Sequence, residues 1–167
     1  MCKCNPHHQT PPEECRRNLL SNFYQALAAG DAATIHRLLA SNIEWWFHGP
    51  RSCNRLMAFL TGATTTTTSS DRFFTFNPLS VVSIGSLVVA EGYYSPETRD
   101  VSWVHALTVV DGVITQVREY FNTSVTVTRF ASSANVHVAS NGGDSCQCVW
   151  QSKLTDSKSM PALLIAV

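Results

Sequence analysis

A carboxylate within an apolar strand pattern is the residue best suited to chemistry in this sequence. Glu119 lies in the segment VITQVREYF, which follows the dipeptide Asp111-Gly112. A carboxylate in a dry pocket has a raised pKa, which suits removal of a proton near neutral pH. His48 ends the aromatic segment EWWFH, and an imidazole beside a carboxylate can carry a proton. We therefore take Glu119 as a candidate general base and His48 as its candidate partner.

Both candidates also have a purely structural interpretation. A buried Glu119 can be stabilised by hydrogen bonds or by pairing with an arginine, since residues with perturbed pKa values are often structural. His48 precedes Gly49-Pro50, so its ring can bond to the turn backbone or lie at a polar rim. The residues alone leave these alternatives open.

The segment around Glu119 reads as a β-hairpin. Asp111-Gly112 between two alternating apolar runs predicts a two-residue turn, in which Val110 pairs with Val113 and Val104 faces Glu119. One predicted face then carries Val104, Ala106, Thr108, Val117, Glu119 and Phe121. The other carries Trp103, His105, Leu107, Ile114, Gln116, Arg118 and Tyr120. A slip of one residue would exchange the faces and bring His105 and Arg118 into a pocket.

The second face has the composition of a protein interface. Its outward-facing members are predicted to be Trp103, His105, Arg118 and Tyr120. Aromatic rings and guanidinium groups are enriched where proteins meet. The net charge is zero, with 12 basic and 12 acidic residues, which favours self-association. We therefore predict a homodimer that forms through this face.

The composition narrows the class of protein. The chain has 167 residues, of which 44% are hydrophobic and 14% charged, as expected of one folded domain. It has neither basic clusters nor a long apolar run, so we expect no nucleic-acid partner and no membrane span. The N-terminal residues contain no apolar signal segment, which predicts a cytoplasmic or nuclear location. The six cysteines are expected to be thiols, with no metal and no cofactor.

The order of elements predicts an α+β domain. Residues 1–12 are expected to form a disordered leader, 13–130 the domain, 131–147 a flexible linker and 148–167 a tail. Two helices separated by Gly30-Asp31 precede an aromatic strand, a third helix and four further strands. We expect one curved antiparallel sheet wrapped over about three N-terminal helices, with a central pocket. The apolar tail should dock as an edge strand or pack on the helices.

Three segments add a family resemblance. EWWFHGP at 44–50, SWVHALTV with the following DG at 102–112, and ITQVREYFNTSVTVTRF at 114–130 resemble the plant wound-induced and senescence-associated proteins of the WI12 family. The tail at 148–167 is similar as well. The element order resembles the nuclear-transport-factor-2-like (NTF2-like, SnoaL-like) fold. Membership in this family implies a role in plant stress responses, but it does not indicate a chemical reaction.

Within that superfamily, the pattern of the strand containing REYFN resembles small-molecule enzymes whose acidic residue points into a pocket. The resemblance implies that Glu119 faces the pocket. It also implies pocket positions for Trp46, for His48, and for Glu91 or Tyr93. Val104 and Phe121 share the predicted hairpin face of Glu119 and are therefore expected in the same pocket. Epoxide hydrolases of this type use an Asp-Arg-Asp arrangement, which this chain lacks. Aromatic core packing explains the rings equally well.

Three functional hypotheses follow. The first is a non-catalytic pocket protein that binds a small apolar ligand in wound or senescence responses. The second is a cyclase, isomerase or hydrolase that uses Glu119 as its base and His48 as partner. The third is a dimeric protein-interaction module.

Overall fold

The computed structural model describes residues 12–61, 76–94, 101–121, 126–129, 148–154 and 163–166. Residues 1–11 of the predicted leader and the whole predicted linker lie outside these ranges, so the domain boundaries stay predictions. Of the described helices, none is long and apolar enough to cross a membrane.

The N-terminal helices form where their end signals place them. Helix α1 spans Pro12–Ala29, and Gly30 follows it with a φ of 68° that favours glycine. Asp31 caps helix α2 (Ala32–Leu38), where its carboxylate accepts a hydrogen bond of 3.0 Å from the Thr34 backbone N–H. After a 3₁₀ turn at Arg51–Cys53, helix α3 spans Arg55–Leu60.

A five-stranded sheet packs against α1. Its members are β1 (Leu39–His48), β2 (Asn77–Ile84), β3 (Leu87–Tyr94), β4 (Val101–Val110) and β5 (Val113–Phe121). They are ordered β1-β5-β4-β3-β2, and β1 pairs with β5 in parallel. The prediction of an α+β fold is confirmed, but the sheet is mixed rather than purely antiparallel because its first strand runs alongside its last.

The C-terminal strands lie in a second, smaller sheet. It contains β6 (Thr126–Arg129), β7 (Cys148–Gln151) and β8 (Leu163–Ala166), ordered β6-β8-β7. Strand β8 runs parallel to β6 and antiparallel to β7. The tail therefore pairs with the segment that follows β5 rather than with the edge of the large sheet.

Two local signals in the sequence predict features that the structure does not have. Ser41-Asn42 predicts a break between helix and strand, but β1 begins at Leu39 directly after α2. Gly92 predicts a bulge in its own strand, but the bulge lies on the neighbouring strand, between Pro78 and Ser80. Gly92 instead allows a close approach, since a Cβ there would lie 2.8 Å from Cζ2 of Trp103.

The hairpin between β4 and β5 changes register after the first two pairs beyond its turn. Asp111 and Gly112 have φ values of 51° and 78°, and Val110 pairs with Val113 as predicted. The register then shifts between the pairs Val109–Ile114 and Thr108–Gln116, so that the strands slip by one residue. His105 consequently pairs with Glu119, and Val104 with Tyr120.

The shift sorts the side chains onto two faces. We call the face toward α1 the inner face. Its core joins the helix residues Leu20 and Phe23 to Trp103, Val117 and Phe121. The outer face is opposite. It forms a second cluster of Leu87, Val89, Val104, Ala106 and Tyr120, with Trp150 of β7 packed among them.

Candidate functional site

A buried polar group lies at the centre of the inner face. His105 and Glu119 stand opposite each other on β4 and β5, and both have 0% of their surface exposed. Nε2 of His105 lies 3.3 Å from Oε2 of Glu119. Burial of two ionisable groups side by side is costly without compensating contacts, so this pair requires further partners.

Two aromatic side chains supply such contacts. The Tyr24 hydroxyl of α1 lies 3.0 Å from Nδ1 of His105, and the Trp45 indole N–H of β1 donates to Oε1 of Glu119 at 2.8 Å. Burial raises the pKa of Tyr24 well above its usual 10.0, and the nearby charge of Glu119 raises this pKa further. Tyr24 therefore keeps its proton at neutral pH. Three elements, α1, β1 and the hairpin, converge on one polar group.

Part of this polar group remains unsatisfied. Nε2 of His105 and Oε2 of Glu119 are close, but they are too poorly aligned to form a hydrogen bond. Nε1 of Trp103 is also buried without a hydrogen-bond partner among the described residues. Unpartnered buried polar atoms are rare and mark sites where a solvent molecule or ligand group would be stabilised.

Aromatic rings enclose the imidazole. The ring centroid of His105 lies 4.6 Å from that of Phe76 and 4.7 Å from that of Trp103. Tyr24 stacks on it at 5.9 Å with an interplanar angle of 16°, and Phe121 lies edge-on at 6.3 Å. In the described part of the chain, no three His, Cys, Asp or Glu side chains lie close enough together to hold a metal ion. The surroundings of His105 are those of an apolar core.

A cavity of about 530 Å³ opens beside this group, between α1 and β2. Tyr24 and Phe76 form its boundary toward His105. Its lining residues are Arg17, Leu20, Ser21, Tyr24, Gln25, Ala28, Phe76, Asn77, Pro78 and Val81. His105 and Glu119 lie behind Tyr24 and do not line the cavity.

His48 lies on the other face of the sheet. It pairs with Tyr120 in the β1–β5 register, and the two rings stack at 4.7 Å with an interplanar angle of 7°. Partial burial lowers the pKa of His48, and the charge of Arg118 lowers this pKa further. The predicted pairing of His48 with Glu119 is therefore wrong. Side chains alternate between the two faces along β1 and β5. Glu119 therefore faces inward, while His48 faces outward with Tyr120.

The predicted pocket residues are divided between the two faces. Phe121 lies on the inner face with Glu119. The outer face carries Trp46, whose ring lies 4.7 Å from the Arg118 guanidinium carbon, and Val104. It also carries Glu91, which pairs with Val104, and Tyr93 two residues along. None of the five predicted pocket residues lines the cavity beside α1.

The residues predicted for a homodimer surface are divided as well. Trp103 and His105 are fully buried on the inner face. Arg118 and Tyr120 lie on the outer face, where Tyr120 is 1% exposed within the cluster that contains Trp150. A side chain buried within its own chain cannot form a docking surface, so the assignments of Trp103, His105 and Tyr120 are wrong. Self-association itself stays a prediction.

Sequence reasoning missed Tyr24 and Trp45 as polar partners. Both belong to apolar patterns, a helical stripe and an aromatic strand, and nothing local distinguishes their polar atoms. The sequence gives no clear signal for the register either. Ile114 and Val117 are both buried at a spacing of three, as the bulge requires, but Val113 is apolar as well and fits a regular two-residue period with Val117.

Comparison with solved structures shows the fold. An NTF2-like protein of unknown function from Mesorhizobium loti aligns with a TM-score of 0.50 at 18% identity, over 68% of this chain and 96% of that one. A putative ketosteroid isomerase from Kribbella flavida aligns with a TM-score of 0.51 at 15% identity, over 66% and 80%. At such identities the likeness concerns the fold and not the activity.

Sequence comparison gives the family. Residues 57–167 match the family model described as wound-induced protein WI12. The chain is 44% identical to senescence associated gene 20 of Arabidopsis thaliana over 119 residues, which cover 66% of this chain and 100% of that protein. It is 45% identical to wound-induced protein 1 of Solanum tuberosum over 113 residues, with the same coverage. These matches identify the chain as a member of the WI12 family of wound-induced proteins, with an NTF2-like fold.

Proposed function

We propose that this chain acts in the wound or senescence response of a plant by binding a small, largely apolar molecule in the cavity between α1 and β2. The observation that carries this proposal is the cavity itself, whose volume of about 530 Å³ matches that of small-molecule sites. The names of two relatives, one senescence-associated and one wound-induced, support the biological context.

The lining of the cavity indicates the kind of ligand. Its apolar part is formed by Leu20, Phe76 and Val81, together with the ring of Tyr24. Polar side chains, including Arg17 and Gln25, stand along α1 at the same cavity. Sites of this kind bury the body of a ligand against apolar groups and orient it with a few polar contacts. The ligand would therefore have an apolar body and one polar or anionic end near Arg17.

Native mass spectrometry of the purified protein tests this proposal. We expect a co-purifying molecule in the wild type and its loss in Val81→Trp, because the larger ring would fill the cavity. Val82→Trp is the matched control, since Val82 is the next residue of β2, is 37% exposed and does not line the cavity. Equal retention of the molecule by both variants would place its site elsewhere, and the proposal would fail.

The unpartnered atoms of the inner face favour a second candidate function, proton transfer on the bound molecule. Glu119 would be the base, with His105 in the place that the sequence assigned to His48. Oε2 of Glu119 and Nε2 of His105 have no hydrogen-bond partner, so either atom could take a proton from a bound molecule or return one to it. This function requires Tyr24 to move aside, because its ring separates the cavity from His105.

Deuterium incorporation distinguishes binding from proton transfer. The co-purified molecule, incubated with the protein in D₂O, would gain deuterium at carbon if Glu119 abstracts a proton. Glu119→Gln would abolish the exchange, whereas Glu91→Gln, which alters a buried carboxylate of the outer face, would leave it intact. A wild type that incorporates no deuterium rules out proton transfer and leaves the binding proposal unaffected.

A further inference from the structure

The side chain of Tyr24 stands between the cavity beside α1 and the buried polar group of the inner face. Tyr24 lines the cavity, and its hydroxyl lies 3.0 Å from Nδ1 of His105. Its ring stacks on the imidazole with an interplanar angle of 16°. The cavity, with a volume of about 530 Å³, has room for a tyrosine ring. A rotation of the Tyr24 side chain into the cavity would therefore connect the cavity with His105.

The contacts of His105 indicate which of its ring nitrogens carries the proton. Tyr24 keeps its own proton at neutral pH, since burial raises its pKa, and its hydroxyl can donate to Nδ1. Nε2 lies 3.3 Å from a carboxylate oxygen, Oε2 of Glu119, where a lone pair would be repelled and an N–H is stabilised. The imidazole therefore accepts a hydrogen bond at Nδ1 and carries its proton at Nε2.

Three buried polar atoms at this place have no hydrogen-bond partner among the described residues. They are Nε1 of Trp103, Nε2 of His105 and Oε2 of Glu119, and all three side chains are 0% exposed. The ring centroids of Trp103 and His105 lie 4.7 Å apart, and His105 pairs with Glu119, so the three side chains form one contiguous group. The two nitrogens are donors and the carboxylate oxygen is an acceptor. A group that satisfies them must both accept and donate hydrogen bonds.

We propose that this buried group is the inner end of the ligand site, that Tyr24 moves aside when the ligand binds, and that the ligand is an apolar molecule with a hydroxyl group. This inference rests on the proposed binding cavity and names the chemical class of its ligand. A hydroxyl oxygen accepts a hydrogen bond from Trp103 or His105, and its hydrogen is donated to Glu119. A ketone or ether oxygen cannot donate, and the charge of Glu119 repels a carboxylate.

NMR of the isotope-labelled full chain tests the contact with the hydroxyl group. The sequence has four tryptophans, so few indole N–H signals need to be assigned, and Trp103→Phe identifies the signal of Trp103. Naphthol and methylnaphthalene are the probes, because they share a ring system and differ in a hydroxyl or a methyl group. We expect naphthol alone to shift the Trp103 signal downfield, as a new hydrogen bond does. The signal of Trp46, which is 38% exposed on the outer face, is the internal control and should not move.

Isothermal titration calorimetry with the same probes measures the preference for a hydroxyl group. The wild type should bind naphthol about tenfold more tightly than methylnaphthalene, as expected for a hydrogen bond to a charged group. Trp103→Phe removes one of the three polar atoms and should reduce this preference. Trp46→Phe is the matched control on the outer face and should keep it.

Tyr24→Phe tests the movement of the side chain. The substitution keeps the ring but removes the hydrogen bond to His105 that holds it in place. A closed position that is easier to leave costs the ligand less, so we expect naphthol to bind about fivefold more tightly. Tyr93→Phe, which alters a tyrosine that does not line the cavity, should leave the affinity unchanged. A Tyr24→Phe variant that binds no more tightly than the wild type would refute the movement.

Val81→Trp separates a failure of this inference from a failure of the proposed function. It should abolish the binding of both probes, because it fills the cavity. Unchanged binding of naphthol by Val81→Trp would contradict the cavity as the binding site. Binding that is lost in Val81→Trp but is equal for the two probes in the wild type would overturn the hydroxyl site alone and assign the three atoms to solvent. So would a wild type that does not bind naphthol, a Trp103 signal that does not shift, or a preference that Trp103→Phe retains in full.

Discussion

The two faces of the five-stranded sheet carry similar residues but are covered in different ways. Each face holds a tryptophan-containing apolar cluster and one buried carboxylate, Glu119 inside and Glu91 outside. The inner face is covered by α1, a helix of 18 residues, whereas Trp150 on the outer face belongs to a strand of four residues. The two faces therefore differ in the element that covers them rather than in the kinds of residue that they contain.

The largest expected difference in the free energy of unfolding is the one between alanine substitutions of Trp103 and Trp150. Trp103→Ala should lower the free energy of unfolding by about 3–5 kcal/mol, because it leaves a cavity beneath α1. Trp150→Ala should cost no more than about 2 kcal/mol, since a strand of four residues can open locally while the domain stays folded. Urea denaturation followed by far-UV circular dichroism measures both. Equal losses would show that β7 unfolds together with the domain, against this comparison.

A smaller effect on stability is expected from Tyr24, which contacts the buried His105 and Glu119 pair of the inner face. Tyr24→Phe should cost about 1 kcal/mol through the lost hydrogen bond to His105. The folded chain raises the pKa of Tyr24, so its contribution to stability is complete below pH 10.0 and is lost as the pH rises above that value. Tyr24→Phe should therefore lose less stability in alkali than the wild type does.

The control for this effect is Tyr93→Phe on the outer face, where the side chain is half-buried. Thermal unfolding between pH 8 and 11 compares the three proteins. An alkaline dependence in Tyr24→Phe that equals that of the wild type would assign the effect to another tyrosine and refute the attribution.

The smallest effect concerns His48 on the outer face. Its pKa is lowered below 6.5, first by partial burial and then by the charge of Arg118. Stability linked to His48 is therefore complete above pH 6.5 and is lost as the pH falls below that value. Arg118→Gln should raise the pKa of His48 without restoring 6.5, because burial is the larger cause. The ring-proton titration by NMR measures this shift.

Arg37→Gln on α2 is the control for Arg118→Gln, because Arg37 is exposed and contributes no shift to His48. The two substitutions remove the same charge. If they change the pKa of His48 equally, the effect of Arg118 is one of net charge and not of its position beside His48.

Local signals in the sequence predicted the elements well. The Gly30-Asp31 boundary between α1 and α2 and the Asp111-Gly112 turn are confirmed. Each depends on residues close in sequence: a glycine with positive φ, a capping carboxylate, an alternating pattern. Such preferences act within a few residues and can therefore be read without knowledge of the fold.

The site was predicted less well because it depends on contacts between distant segments. Glu119 faces inward but does not line the cavity, its partners Trp45 and His105 come from other strands, and Tyr24 comes from a helix 81 residues before His105. The end of an aromatic strand makes His48 a candidate partner in the sequence, yet strand alternation turns His48 outward. The position of residues 148–154 likewise depends on Glu91, which accepts a hydrogen bond from Ser152, 61 residues later.

By itself, the sequence determined the family, the α+β class and the residues that form each helix and most strands, since these follow from local preferences and hydrophobic periodicity. The tertiary structure alone decided which side chains meet. One extra residue beside Thr108 and Gln116 shifts the pairing of β4 with β5 by one position. Because side chains alternate between the two faces of a strand, this shift exchanges the face on which each β4 residue meets β5. That reversal places His105 beside Glu119 within the core, and leaves Val104 and Tyr120 on the outer face, where Trp150 packs against them.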